Sequence, residues 1–199
     1  MHPPGRSSRL ILASALTALA ITLTLAGTAA ASRGFAITNG TTLVGALGGV
    51  TVRSSPGAGQ TCTWYLVIEL ESSITKRAGT AVGRILPSPA SRTIGDCPTI
   101  FLDGATLAFT SFSGTLPDIS MLSANAAGLA FERDLGSSGR CLYGGGTVNT
   151  ALLRLPSTRQ IGGLAVSGTG LSAGTGCPGP LSFYGTLTII GPLPILDLV

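Results

Sequence analysis

Apolar and polar side chains alternate along the segment from Thr61 to Ser72. A period of two is typical of a β-strand that buries one face and exposes the other. The segment from Leu181 to Ile190 has the same pattern. The inner faces of these two predicted strands carry Cys62, Trp64, Leu66, Ile68 and Leu70 in the first, and Leu181, Phe183, Gly185, Leu187 and Ile189 in the second.

Shorter apolar runs predict further strands, separated by clusters of Gly, Pro and Ser that are typical of turns. Many short strands with such separators predict an all-β fold, an antiparallel sandwich or barrel. The additional strands are expected at 35–38, 44–53, 81–86, 100–109, 129–132, 140–143 and 161–166, and the turns at 54–59, 87–91, 135–139 and 167–176.

The segment from Pro117 to Gly128 predicts one short helix. Proline suits the first turn of a helix, and Asp118 beside it complements the helix dipole. Serine and asparagine inside the segment are weak helix formers and count against the helix.

Residues 1–31 have the layout of a secretory signal peptide: two arginines, an apolar run, and small residues that end at Ala31. This order predicts export and cleavage after Ala31 or Ala30. An N-terminal membrane anchor is the alternative for the apolar run. We expect residues 32–199 to form a single all-β domain, secreted, extracellular or in the cell envelope, with no membrane span after cleavage.

The four cysteines, an even number in a chain with an export signal, predict two disulfide bonds. Three pairings are open from sequence alone. Cys62 and Cys97 are separated by nearly the same interval as Cys141 and Cys177, and a proline follows the second cysteine of each pair. If this spacing reflects a duplicated unit, the bonds are Cys62–Cys97 and Cys141–Cys177.

A metal site is the other use of four cysteines. Structural zinc sites draw their ligands in close pairs, whereas these cysteines are far apart in sequence. The only histidine is His2, inside the predicted signal peptide. The sequence therefore predicts neither a metal nor a cofactor.

Charged residues are scarce, with 12 lysine and arginine residues against 8 aspartate and glutamate residues. After the predicted signal peptide, Lys76 and Arg77 are the only adjacent basic pair. Nucleic-acid surfaces need basic stripes or basic residues interleaved with aromatic ones. No nucleic-acid partner is predicted.

The sequence Gly170-Leu-Ser172-Ala-Gly174 matches the G-x-S-x-G pattern of serine hydrolases. A serine nucleophile of that type needs a histidine base, and none follows the predicted signal peptide. The surrounding glycines are typical of a turn, so we interpret Ser172 as a turn residue. The sequence predicts no catalytic residue here.

Two weaker patterns define the enzymatic alternatives. Ser73 and Lys76 match S-x-x-K, the arrangement of serine hydrolases that use a lysine. Glu69 and Glu71 lie on one strand face, at a separation that suits a glycoside-acting pair. The S-x-x-K motif should begin a buried helix, whereas here it follows a strand in what we predict to be a hairpin loop, and outward glutamates are common surface residues.

Two tyrosines are predicted on outward strand faces. Tyr65 and Tyr184 each alternate with core-facing residues. Exposed aromatic rings stack on sugars or on protein partners, although single exposed aromatic residues are also common. We identify Tyr65 and Tyr184 as the ligand-facing candidates, for a glycan or protein of the cell envelope.

The combination of an export signal, four cysteines, the Cys141-Leu-Tyr143 segment and Cys177-Pro178 followed by Gly185-Thr-Leu-Thr188 resembles small secreted bacterial proteins with an all-β pattern. The resemblance implies no catalytic residues. The sequence as a whole predicts a secreted, non-enzymatic surface or binding protein, with a small serine or glycoside hydrolase as the alternative.

Overall fold

The structure of the protein, a computed structural model, describes residues 34–39, 42–54, 59–95, 97, 99–115, 118–173 and 177–199, without the side chains of residues 138, 172 and 173. The predicted signal peptide therefore lies outside the described residues. So do residues 55–58 and 174–176 of two predicted turns.

The regular secondary structure in the described part of the chain consists of strands and one short 3₁₀ helix, Gly136–Ser138. The strands are β1 (Gly34–Ile37), β2 (Leu43–Ser54), β3 (Gln60–Leu70), β4 (Ser73–Thr75), β5 (Ala81–Ile85), β6 (Arg92–Ile94), β7 (Thr99–Asp103), β8 (Ala105–Thr115), β9 (Asp118–Ala127), β10 (Ala130–Asp134), β11 (Arg140–Gly144), β12 (Thr147–Arg154), β13 (Ile161–Ala173), β14 (Leu181–Ile190) and β15 (Leu196–Leu198). The predicted all-β antiparallel fold is confirmed.

Antiparallel pairing closes the sheet on itself. The order β2-β3-β5-β8-β9-β12-β13-β14 returns to β2, because β14 pairs with β2 and β12 pairs with both β9 and β13. We call these strands the ring. They follow one another in chain order, and each pairs with the ring strands before and after it, as in an up-and-down barrel. Strands β4, β6, β7, β10 and β11 lie in the connections between them.

A short strand continues each of three ring strands. Strand β7 precedes β8, β10 follows β9, and β11 precedes β12. Phe131 opposite Tyr143 in β10–β11 keeps the register of Asn125 opposite Asn149 in β9–β12. The bend between β9 and β10 lies at Gly128, whose φ of 83° suits glycine. Strands β7, β10 and β11 thereby extend one end of the ring.

Both disulfides lie at this extended end, which we call the disulfide end. Cys62 is bonded to Cys97 and Cys141 to Cys177, with Cα separations of 5.5 and 5.6 Å. The predicted pairing is confirmed. Cys62 lies on β3 and Cys97 shortly precedes β7, whereas Cys141 lies on β11 and Cys177 precedes β14.

The inward face at the disulfide end is an aromatic cluster. The Trp64 ring centroid lies 5.2 Å from that of Phe101 and 5.0 Å from that of Phe183. Phe131 links this group to Tyr143, at 5.9 Å between ring centroids. All five side chains are fully buried, so both long predicted strands do turn their predicted inner faces into the core.

A three-stranded sheet, ordered β15-β1-β4, packs on the opposite part of the same core. Phe35 of β1 is buried and makes an edge contact with Phe112 of β8, at 5.8 Å between ring centroids. Ile74 of β4 is also fully buried. Among the described residues, no helix has the length and apolar character needed to span a membrane.

The predictions for residues 117–128 and 167–176 are wrong. The predicted helix at 117–128 is strand β9 from Asp118 onward, where Leu122, Ala124 and Ala126 alternate inward and pack on the core. The predicted turn at 167–176 is strand through Ala173, because β13 continues past an irregularity between Gly168 and Leu171. Burial of one face decided both cases over local propensity.

Candidate functional site

The outer face of the ring carries a group of polar side chains across β9, β12, β13 and β14. A depression of about 440 Å³ opens there, which we call the outer groove. Its side-chain lining includes Thr110, Met121, Ser123, Asn125, Asn149, Ala151, Ala165, Ser167, Tyr184 and Thr186. Its volume lies within the range of small-molecule sites in proteins.

Strand register aligns four polar side chains in a row across the groove. Asn125 lies opposite Asn149, Asn149 opposite Ser167, and Ser167 opposite Tyr184. Alternation along each strand points all four outward, and Tyr184 is 64% exposed. With neighbouring strands about 4.8 Å apart, the row is about 14 Å long.

Small residues form the floor of the outer groove. Ala151 pairs with Ser123 on one side and with Ala165 on the other. Met121 and Tyr184, which are larger, stand toward the two sides of the groove. The depression therefore arises because short side chains on the two central strands lie between longer ones.

The polar groups of the row are available to a ligand. Within the described residues, the amides of Asn125 and Asn149 and the hydroxyls of Ser167 and Tyr184 take part in no internal hydrogen bond. None of the residues lining the outer groove is charged. The arrangement can hydrogen-bond and stack, and it presents no acid, base or nucleophile pair.

Tyr65, the other predicted ligand-facing residue, lies in a different environment. It points outward from β3, but it is half-buried, and the Arg92 guanidinium lies 5.0 Å from its ring centroid. A Cβ at Gly45 would come within 2.7 Å of the Tyr65 hydroxyl oxygen, so the ring lies directly over that glycine. The structure does not bring Tyr65 and Tyr184 into one site.

A buried arginine lies at the disulfide end, on the inward face of β10. Arg133 donates a hydrogen bond of 2.9 Å to the Gln60 side-chain oxygen and makes a 3.8 Å contact to the Cys97 sulfur. Burial lowers the pKa of Arg133, with an opposing effect from nearby Tyr143. Burial raises the pKa of Tyr143, and the Arg133 charge opposes that shift.

Charged groups near β15, away from the disulfide end, are paired with one another. Arg159 donates to Asp197 at 2.6 Å, and the Thr38 hydroxyl donates to the same carboxylate at 2.7 Å. These hydrogen bonds lower the pKa of Asp197. Recesses beside Asp118 and Arg159 are consequently lined by charges, in contrast to the outer groove.

The residues of the enzymatic alternatives are also placed. Ser73 lies on β4 and pairs with Ala36 of β1, so the predicted loop at this position is wrong; burial of Ile74 holds the segment as a strand. The Lys76 ammonium lies 5.3 Å from the Phe35 ring centroid. The Ser73 motif therefore begins no helix.

The Arg84 Nε donates a hydrogen bond of 2.6 Å to the Glu69 carboxylate, across β3 and β5. Ser172 lies on the strand end of β13, opposite Gly144 of β11, and not in a turn. In the ranges that the structure describes, no three His, Cys, Asp or Glu side chains lie close enough together to hold a metal ion. These placements add no support to the hydrolase alternatives.

The chain matches no protein-family model, no curated protein and no solved structure. The class of molecule is therefore defined by its own geometry: a closed antiparallel ring of eight strands, tied by two disulfides, with an uncharged polar groove on its outer face. The outer groove is therefore the candidate functional site.

Sequence reasoning found one side of the groove and missed the rest. Tyr184 was identified from strand alternation, but Asn125 was assigned to a helix and Asn149 to no element. The alternation of Leu122, Ala124 and Ala126 with polar residues is the sequence signal for Asn125, because it places Asn125 on an outer strand face.

Proposed function

We propose that the protein is an exported, non-enzymatic binding protein of the cell envelope or its surroundings, and that the outer groove is its ligand site. The observation that carries the proposal is the row from Asn125 to Tyr184, in which four outward polar side chains line one depression and have no hydrogen-bond partner among the described residues. The predicted export signal and the two disulfides support a location outside the cytoplasm.

A binding role suits this geometry better than catalysis. The groove offers hydrogen-bonding groups and an aromatic ring, whereas the residues of the two enzymatic alternatives lie elsewhere. Glu69 is paired with Arg84 on the outer face of β3 and β5, and Ser73 lies on β4. Ligand recognition therefore needs no chemistry beyond what the row supplies.

The test is retention on envelope material from the producing cells. Ala165→Phe places a ring on the floor of the groove, and an aromatic residue is compatible with a strand. Thr63→Phe is the matched control, because Thr63 is an exposed, outward residue of β3 and is not part of the groove lining. We expect Ala165→Phe to reduce retention at least tenfold and Thr63→Phe to leave it unchanged, with both variants folded by circular dichroism. Equal retention of the two variants would refute the proposal.

A further inference from the structure

The chemistry of the outer groove identifies the class of its ligand. We infer that the groove binds a neutral oligosaccharide, stacked on Tyr184 and hydrogen-bonded through its hydroxyls to Asn125, Asn149 and Ser167. This inference rests on the proposed function and narrows it. It is argued from charge, hydrogen-bonding capacity, ring exposure and the pairing of the strands beneath.

The charge of the groove selects against ionic ligands. Its lining contains no Lys, Arg, Asp or Glu. A phosphate, sulfate or carboxylate would lose hydration without gaining an opposite charge to pair with, and an ammonium group would find no carboxylate. A ligand that fills the groove is therefore uncharged where it meets the floor.

The row can match groups that both donate and accept. Each asparagine amide offers two N–H donors and one carbonyl acceptor, and the Ser167 and Tyr184 hydroxyls do both. Sugar hydroxyls have the same dual character. A polyhydroxylated ligand can therefore satisfy the whole row, whereas an apolar ligand would leave its amides buried and unpaired, at a cost.

Tyr184 supplies the apolar half of the site. Its side chain is largely exposed, and it shares a row with Ser167 on one side and Thr51 on the other. An aromatic face with a polar tip can lie against the C–H face of a sugar ring while its hydroxyl bonds the rim. The row of about 14 Å is long for one sugar ring, which indicates a short chain of sugars.

A peptide fits the groove less well. Peptides that bind sheets usually add a strand to an open edge, where backbone groups are free. The strands under the groove have partners on both sides: β12 lies between β9 and β13, and β13 lies between β12 and β14. The groove therefore presents side chains and no unpaired strand edge.

The test compares neutral hexasaccharides with charged counterparts on the full exported chain. The matched pairs are N-acetylated chitohexaose against its deacetylated, cationic form, and galactohexaose against hexagalacturonate; cellohexaose and mannohexaose extend the neutral set. We expect isothermal titration calorimetry to show at least one neutral hexasaccharide bound at least tenfold more tightly than charged hexasaccharides. Tyr184→Ala and Asn149→Ala should each weaken that affinity tenfold or more, and Thr63→Ala should leave it unchanged.

Three outcomes would overturn the inference: no binding by any neutral hexasaccharide, equal or tighter binding by a charged counterpart, or undiminished affinity in Tyr184→Ala and Asn149→Ala. If Ala165→Phe abolishes envelope retention while no saccharide binds, the groove is a site for another class of ligand and only this inference fails. If the Ala165→Phe variant is retained on envelope material as the unaltered protein is, the proposed function itself fails.

Discussion

Two outward tyrosines on the same ring of strands lie in opposite environments. Tyr65 on β3 is half-buried, with Arg92 over its ring and Gly45 beneath it. Tyr184 on β14 is largely exposed and stands beside the outer groove. Strand alternation assigns the same direction to both side chains and does not distinguish them.

The difference comes from the neighbours that register supplies. Around Tyr65, an arginine and a glycine of the protein itself contact the ring. Around Tyr184, the cross-strand neighbours are short and polar, and they leave the ring and the adjacent amides open. An exposed aromatic residue becomes a candidate site when its neighbours are also unpaired, which only the assembled sheet reveals.

The largest effect is expected from the core that both tyrosine regions cover. Trp64→Ala should lower the free energy of unfolding by about 3–5 kcal/mol, because Trp64 contacts Phe101, Phe131 and Phe183. Tyr184→Ala should change it by no more than about 0.5 kcal/mol. Urea unfolding followed by far-ultraviolet circular dichroism measures both. A loss above 2 kcal/mol in Tyr184→Ala would show that this ring is packed and not open.

The second effect separates the two tyrosines by binding. Tyr184→Ala should weaken the neutral saccharide identified by calorimetry at least tenfold, about 1.4 kcal/mol in binding free energy. Tyr65→Ala should bind it as the unaltered protein does, since Tyr65 lies outside the groove lining. Comparable losses in both variants would contradict the separation of the two regions.

The third effect is the stability that Tyr65 contributes through Arg92. Cation–π contacts at exposed sites are worth about 0.5–1 kcal/mol. Arg92→Ala should therefore destabilise the fold by about that amount, and the double variant with Tyr65→Ala should show non-additive losses. Strictly additive losses in urea unfolding would show that the ring and the guanidinium do not interact.

The smallest effect concerns the third tyrosine. Burial raises the pKa of Tyr143, so its neutral form stabilises the fold below the unfolded tyrosine pKa of about 10, and this contribution is lost as the pH rises through the folded value. Tyr143→Phe should flatten the decline of stability above pH 10, with Tyr184→Phe as the control. Among the described residues, the Tyr143 hydroxyl has no hydrogen-bond partner, so the change should cost little at pH 7. An unchanged alkaline decline in Tyr143→Phe would contradict this assignment.

The parts of the fold that sequence predicted are those with strong two-residue alternation. Strands β3 and β14 were identified with their inward faces, because large apolar residues alternate with polar ones without interruption. Matched cysteine spacing favours the observed disulfide pairing, but sequence alone leaves three pairings open. Sequence could not choose between a sandwich and a barrel, because closure depends on the pairing of β12 with β13 and of β14 with β2.

The missed elements have weak or misleading local signals. Strand β9 consists largely of Ala, Ser and Asn, which are weak strand formers, and among its buried residues only Ile119 and Leu122 are large. Strands β4, β6 and β15 have three residues each and are held by partners distant in sequence. Half of the candidate site lies on β9 and β12, so it depended on register that no local pattern encodes.

The outer groove, and no other outer surface, is the ligand site that we propose. It is tested most directly by ¹⁵N-¹H NMR during titration with the bound hexasaccharide. The account predicts shifts in the side-chain NH₂ signals of Asn125 and Asn149 and in backbone amides beside Ser167 and Tyr184, with those around Tyr65 unchanged. Shifts centred on Tyr65 and Arg92, with unaltered asparagine side-chain signals, would contradict it.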